Sequence, residues 1–155
     1  MDQNFIRSLS GATLAYLGDA VLEVMVRRYL VGLGIADGGK LSQLALNFVR
    51  ATAQSAAMNR MLPHLTEDEA YIFKRGRNAH GISIPHSASA AEYRRATGME
   101  ALFGWLDLNG QQARAEELFA LAYSDVIERL NNEKLAKECD HDQSYVRLRH
   151  PSRSH

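Results

Sequence analysis

Two acidic residues in apolar surroundings give this 155-residue chain its clearest chemical potential. In "TLAYLGDAVLEVMVRRYL", Thr13 to Leu30, a largely apolar segment of helical spacing carries Asp19 where a core residue is expected. On a helical wheel Asp19 shares a face with Ala12, Ala15, Glu23 and Val26, flanked by Tyr16 and Leu22. A carboxylate taken out of water needs a partner. The plain alternatives are that "GD" starts a helix capped by Asp19, or that Asp19 and Glu23 pair with Arg27 and other surface bases. The second acid is Glu100 in "RRATGMEALFGWLDL", on a face with Tyr93, Ala96, Thr97, Phe103 and Gly104. Gly98 and Gly104 interrupt this strong helix former at a cost of about 1 kcal/mol each relative to alanine, so something must approach it closely. Gly18, Gly98 and Gly104 suit a tight crossing of the two helices, which brings Asp19 and Glu100 together. Two carboxylates at close range repel unless a proton or a cation lies between them, and hard oxygen ligands select an ion such as Mg2+. The expected chemistry is metal-assisted hydrolysis of a phosphodiester.

A phosphodiester substrate calls for cations, and the formal net charge is zero. The average conceals sorting. From Lys74 to Arg95, five bases (Lys74, Arg75, Arg77, Arg94, Arg95) face one acid, Glu92, a balance of +4. From Ala96 to Leu130, two bases stand against six acids, a balance of −4. A polyanion can therefore meet one face only. The run "FKRGRNAHG" is the candidate phosphate contact, because guanidinium groups match phosphate oxygens bidentately. Its bland reading is a basic helix end that serves solubility. His64, His80 and His86 show no metal-ligand spacing.

These residues need elements to hold them. Alanine, leucine, glutamate and arginine are common and no β-branched run alternates, so the fold class is all-α, a helical bundle. The spacing predicts a first long helix from Ser10 or Thr13 to Leu30, ended by "GLG" at Gly32 to Gly34. A second segment starts near Leu41 and breaks near Arg50 and Ala51, and a third is capped by Thr52 and ended by Pro63. Thr66 and Glu69 form a capping box ahead of "AYIFKRGRNA". The loop His80 to Ser89 is a connector or a substrate-contacting segment. Helices follow over Ser89 to Leu108, ended by Asn109 and Gly110, and over Gln111 to Asn131. From Asn132 the apolar periodicity fades, which predicts a frayed tail. Tyr16, Tyr93, Phe103 and Trp105 are expected in the core or an interface. The apolar excess of the first helix (Leu14, Leu17, Val21, Leu22, Val24, Met25, Val26) exceeds what one face needs and suits a second subunit.

The single cysteine, Cys139, excludes an intrachain disulfide framework and a paired-thiolate zinc site. There is no apolar run of membrane-spanning length and no signal peptide pattern, so a soluble, cytoplasmic protein is expected.

"LAYLGDAVLEVMVRRYL", "EAYIFKRGRNA" and "YRRATGMEALFGWLDL", in that order and separation, resemble the catalytic domain of the ribonuclease III family, in its short bacterial form without a double-stranded-RNA-binding domain. The resemblance runs from about Leu9 to Leu130. It implies a catalytic domain over residues 1–130 and a C-terminal helical extension and tail over 131–155. It matches Asp19 to the family's invariant "LGD" aspartate and Glu100 to the glutamate of the second acidic motif, as the catalytic, Mg2+-binding pair. Ala15 and Thr97 stand where larger members place two further acids, and the short branch shows similar departures. Fewer protein carboxylates then leave more of the ion's shell to water and the scissile phosphate. Lys74, Arg75, Arg77 and Asn78 would contact RNA, and the loop Gly81 to Ser89 would lie near the duplex. The implied activity is endonucleolytic hydrolysis of double-stranded RNA to 5′-phosphate and 3′-hydroxyl ends by a homodimer. For this branch it matures 23S ribosomal RNA precursors, with a ribosomal protein as a possible helper. The alternative is a catalytically inactive, double-stranded-RNA-binding dimer on the same fold.

Overall fold

The structure, a computed structural model, describes residues 1–81, 83–86 and 89–149. Among these residues every regular element is helical, as the composition predicts: α1 (Gln3–Ser8), α2 (Gly11–Gly32), α3 (Gly38–Val49), α4 (Ala51–Met61), a 3-10 turn (Leu62–His64), α5 (Glu67–Arg77), α6 (Ala90–Leu108), α7 (Gln112–Ala122) and α8 (Ser124–Arg149). Ser10 caps α2 by accepting from the Thr13 amide. The helix then runs without interruption through Gly18 and Asp19, so Asp19 is not a cap. Helix α3 starts three residues before Leu41, because Asp37 accepts from the Gly39 amide at 2.9 Å. Thr52 does not cap α4. Arg50 takes that position without a side-chain bond, and Thr52 lies inside the helix. Pro63 is absorbed in the 3-10 turn, where its missing N–H costs nothing.

The chain divides into two compact units, Met1–Tyr123 and Ser124–His155. In the first, α6 is the central helix, with α2, α4 and α5 packed on it. Leu14, Ala15, Ile72 and Ala101 form a buried cluster at the meeting of α2, α5 and α6. Phe48, Phe119 and Tyr123 form an aromatic cluster with ring centroids 4.9 to 6.2 Å apart. The Tyr123 hydroxyl donates to the Phe48 carbonyl at 2.8 Å, which satisfies a buried phenol. Of the four aromatics expected in the core or an interface, Phe103 is fully buried, while Tyr16 is 86% exposed.

The second unit departs from expectation. Periodicity does fade, yet α8 continues to Arg149. Helix formers without a glycine or proline sustain it, helped by the Lys134–Glu138 pair one turn apart at 4.0 Å. The tail from His150 onward lies outside the described residues, as do Ile82, Ser87 and Ala88 of the loop.

The capping box is present as expected, and it carries more than a cap. Glu69 is buried and accepts from Arg114 Nε at 3.0 Å and Nη2 at 2.8 Å, besides the Thr66 amide at 2.8 Å. The Arg114 hydrogen bonds hold the Glu69 carboxyl below the usual carboxylate range. That stability is present above the unfolded-state value and is lost as pH falls through the depressed one. Arg114→Ala strands a buried carboxylate, so chemical denaturation should show a loss of about 3 kcal/mol at pH 7, shrinking as the medium is acidified toward pH 4.

Candidate active site

Helices α2 and α6 cross in direct backbone contact. A Cβ placed on Gly18 would stand 1.6 Å from the Glu100 carbonyl oxygen, and one on Gly104 would stand 2.1 Å from the Leu14 carbonyl oxygen. Only hydrogens fit at both points, and the crossing sets the residue after Gly18, Asp19, beside Glu100. Gly98 serves elsewhere: its missing Cβ makes room for the Phe73 ring of α5, and Gly76 of α5 meets Gly98 and Ala101 in return. Two of the three glycines thus form the expected crossing, and the third belongs to the α5/α6 seam.

Asp19 is exposed at the rim of this crossing rather than in the core, and Glu100 is half-buried. Burial, and next the charge of Asp19, push the Glu100 carboxyl up to about 7, while a hydrogen bond from the Gln54 side chain works the other way. A divalent cation at this point would relieve both causes, by replacing lost hydration and by offsetting like charge. The residues therefore fit a hard cation, with two protein carboxylates as its donors. No group of three or more acidic, histidine or cysteine side chains gathers among the described residues. Ala15 and Thr97 explain why: Ala15 lies in the buried cluster, and the Thr97 hydroxyl donates to the Tyr93 carbonyl at 3.0 Å. Glu23, one turn from Asp19, is paired with Arg27 at 2.9 Å.

The cationic run does not join the two carboxylates. Helix α5 packs on the Gly98 and Ala101 side of α6, and Gly98 and Glu100 point about 160° apart on the wheel. Lys74 and Asn78 are exposed. Arg77 lies over the Phe73 ring at 5.5 Å and donates to Asn78 at 3.3 Å. Arg75 is engaged with the protein, donating to the Arg7 and Leu9 carbonyls beneath α1. Arg95 is likewise hydrogen-bonded to the Ser55 hydroxyl.

The site also holds a residue that the sequence reading passes over. Gln54 of α4 is 3% exposed and faces Glu100. A signal was present: with Met58 and Met61, Gln54 falls on the buried stripe of α4, where an amide is out of place.

The raised Glu100 carboxyl has a stability consequence. The unfolded chain releases this proton near the ordinary 4.5 and the folded chain near 7, so the metal-free protein loses stability as pH rises between these values. Glu100→Gln removes the effect. Thermal or denaturant unfolding at pH 8 without divalent ions should find that variant more stable than the parent by on the order of 2 kcal/mol, with little difference at pH 4.5.

The ribonuclease III domain matches residues 12–111, a span that runs from the first turn of α2 through α6 and holds both carboxylates and the crossing glycines. The chain belongs to the ribonuclease III family, a family of endoribonucleases, on its Mini-ribonuclease III branch. It is 47% identical to Mini-ribonuclease 3 of Symbiobacterium thermophilum over 79% of this chain and 93% of that one, and 42% identical to Mini-ribonuclease 3 of Enterococcus faecalis over 83% and 97%. Among solved structures, protein FN1578 of Fusobacterium nucleatum superposes with a TM-score of 0.70 at 29% identity, covering 76% of this chain and 96% of that one.

Proposed function

We propose that this protein hydrolyses phosphodiester bonds of double-stranded RNA with Mg2+ held by Asp19 and Glu100, leaving 5′-phosphate and 3′-hydroxyl ends. The observation that supports the reading is the backbone contact of α2 and α6 at Gly18 and Gly104, with exposed Asp19 next to Gly18 close enough to half-buried Glu100 for its charge to raise that carboxyl. Asp19 is open to solvent and so to a polymeric substrate. Glu100 is more enclosed and would hold the ion as the carboxylate, its proton passing to solvent. When bound, the ion supplies positive charge for the phosphoryl oxygens and acidifies water. Lys74, Arg77 and Asn78, on a different flank from the carboxylates, are placed to hold the RNA backbone away from the scissile bond. Arg75 acts indirectly by fixing the α5 end to the N-terminal segment. Shape and 2′-hydroxyls, rather than base edges, select the duplex, because the A-form minor groove is wide and shallow.

The working form in this reading is a homodimer. Tyr16, Val24 and Val31 are exposed along α2, and a cavity of about 690 Å³ beside it is lined by Val21, Val24, Met25 and Phe119. The proposed substrate is a 23S ribosomal RNA precursor in the cytoplasm, with a ribosomal protein as an aid to presenting it. Among the described residues no helix is long and apolar enough to cross a membrane.

The test is to incubate the purified chain with a fully paired RNA and Mg2+ and to characterise the termini. Cleavage to 5′-phosphate and 3′-hydroxyl ends, dependent on the divalent ion, is expected. Binding without cleavage at any Mg2+ concentration would favour the silent RNA-binding dimer instead.

A further inference from the structure

Helix α4 packs on α6, and on the α6 wheel the buried Ala96, Met99 and Phe103 fall between Arg95 and Glu100, the two residues that α4 meets with polar side chains. On one side the Ser55 hydroxyl is bonded to Arg95. On the other the buried Gln54 side chain lies near enough to Glu100 to favour its charged form. Ser55 and Gln54 are both 3% exposed, and Ala57, Met58 and Met61 of the same helix are fully buried. The two contacts come from adjacent residues of a rigid helix, so the Ser55 bond to Arg95 fixes the register that brings the Gln54 amide to the Glu100 carboxyl. An amide so deeply buried is costly unless it has a task or a partner. Its partner here is one of only two acids at the crossing, the others of the larger enzymes being replaced by Ala15 and Thr97.

We propose that Gln54 is a positioning residue: its side-chain amide, locked in the α4/α6 seam, holds the Glu100 carboxylate toward Asp19 so that the pair accepts a divalent ion. The inference rests on the metal-site reading above. With two carboxylates instead of four, a rotamer change of one removes half of the protein's donors, so a neutral hydrogen bond to Glu100 has a larger effect on ion affinity here than in a site rich in acids. A neutral donor also suits the place better than a lysine or arginine, which would compete with the cation for the same oxygens.

The experiment compares Gln54→Leu with the parent chain in two readouts. One is the Mg2+ concentration at half-maximal cleavage of a paired RNA; the other is the rise in unfolding temperature on adding Mn2+ without RNA. Partners that orient metal ligands typically contribute 10- to 100-fold in metal affinity. The expected result is therefore a shift of the half-saturating Mg2+ concentration by about tenfold or more, a kcat at saturating Mg2+ within about threefold of the parent, and a smaller Mn2+-induced rise. A purely structural role would lower the metal-free unfolding temperature and leave the Mg2+ requirement alone. An unchanged Mg2+ requirement in a folded Gln54→Leu chain overturns the proposal. Should that variant fail to fold, Gln54→Met, which keeps the unbranched shape, is read in the same way. The same Mg2+ titration on Asp19→Asn and Glu100→Gln separates the two levels. If these lose activity and Gln54→Leu keeps the parent's Mg2+ requirement, the positioning role fails alone; if they too behave as the parent, the metal site itself is wrong.

Discussion

Asp19→Asn and Glu100→Gln are each expected to reduce cleavage of paired RNA by at least about 10³-fold at saturating substrate, with RNA binding retained. The size follows from the number of donors. A catalytic divalent ion contributes several kcal/mol of transition-state stabilisation, and each 1.36 kcal/mol is tenfold in rate. The proposed site has two protein carboxylates, and replacing either charge by a neutral amide would remove half of the protein's hold on the ion. Both substitutions conserve shape, and Glu100→Gln removes the like-charge repulsion and the burial cost that raise this carboxyl. The combination of lower activity and higher metal-free stability at pH 8 is thus the signature expected of Glu100. A structural acid would show the reverse. Single-turnover cleavage with filter-binding controls measures both halves, and full activity in either variant removes that residue from the site.

Gly18→Ala destabilises the protein by more than about 3 kcal/mol and abolishes activity with it. In an open helix the same change stabilises by roughly 1 kcal/mol, chiefly because alanine leaves the unfolded chain fewer conformations. Here the new Cβ would meet the Glu100 carbonyl at 1.6 Å, a backbone atom that cannot turn aside. Overpacking commonly costs 1 to 3 kcal/mol even when side chains can yield, so separation of the two helices is the only relief. That separation moves Asp19 from Glu100, so the stability defect and the catalytic defect arise together. Gly32→Ala is the internal control: it lies in the same helix with no atom within 4 Å of an added Cβ, and it should be neutral or slightly stabilising. Denaturant unfolding of the two variants decides the matter.

What the sequence disclosed follows from which forces are local. The capping box at Thr66 and Glu69 and the glycine end of α6 at Gly110 depend on residues within a few positions, and both stand as read. Gly18 and Gly104 were legible because a helix-interior glycine needs a reason, but the partner of Gly98 depended on where α5 docks. For Asp19 the pattern left a place near the surface and an engaged one both open, and it is exposed, since periodicity reports which residues share a face and not how far that face is covered. Arg75 and Arg95 looked like free cations because carbonyl and hydroxyl acceptors from distant segments leave no trace in a local pattern. The continuation of α8 was missed for the opposite reason: a helix that is polar on every side has no apolar period to detect.

One divalent ion is expected between Asp19 and Glu100. Anomalous diffraction from crystals of the parent chain grown with paired RNA and Mn2+ tests it most directly. The account predicts a peak within about 2 to 2.5 Å of a carboxylate oxygen from each residue. Carboxylates more than roughly 10 Å apart, or an ion bound to RNA with neither acid near it, would contradict it.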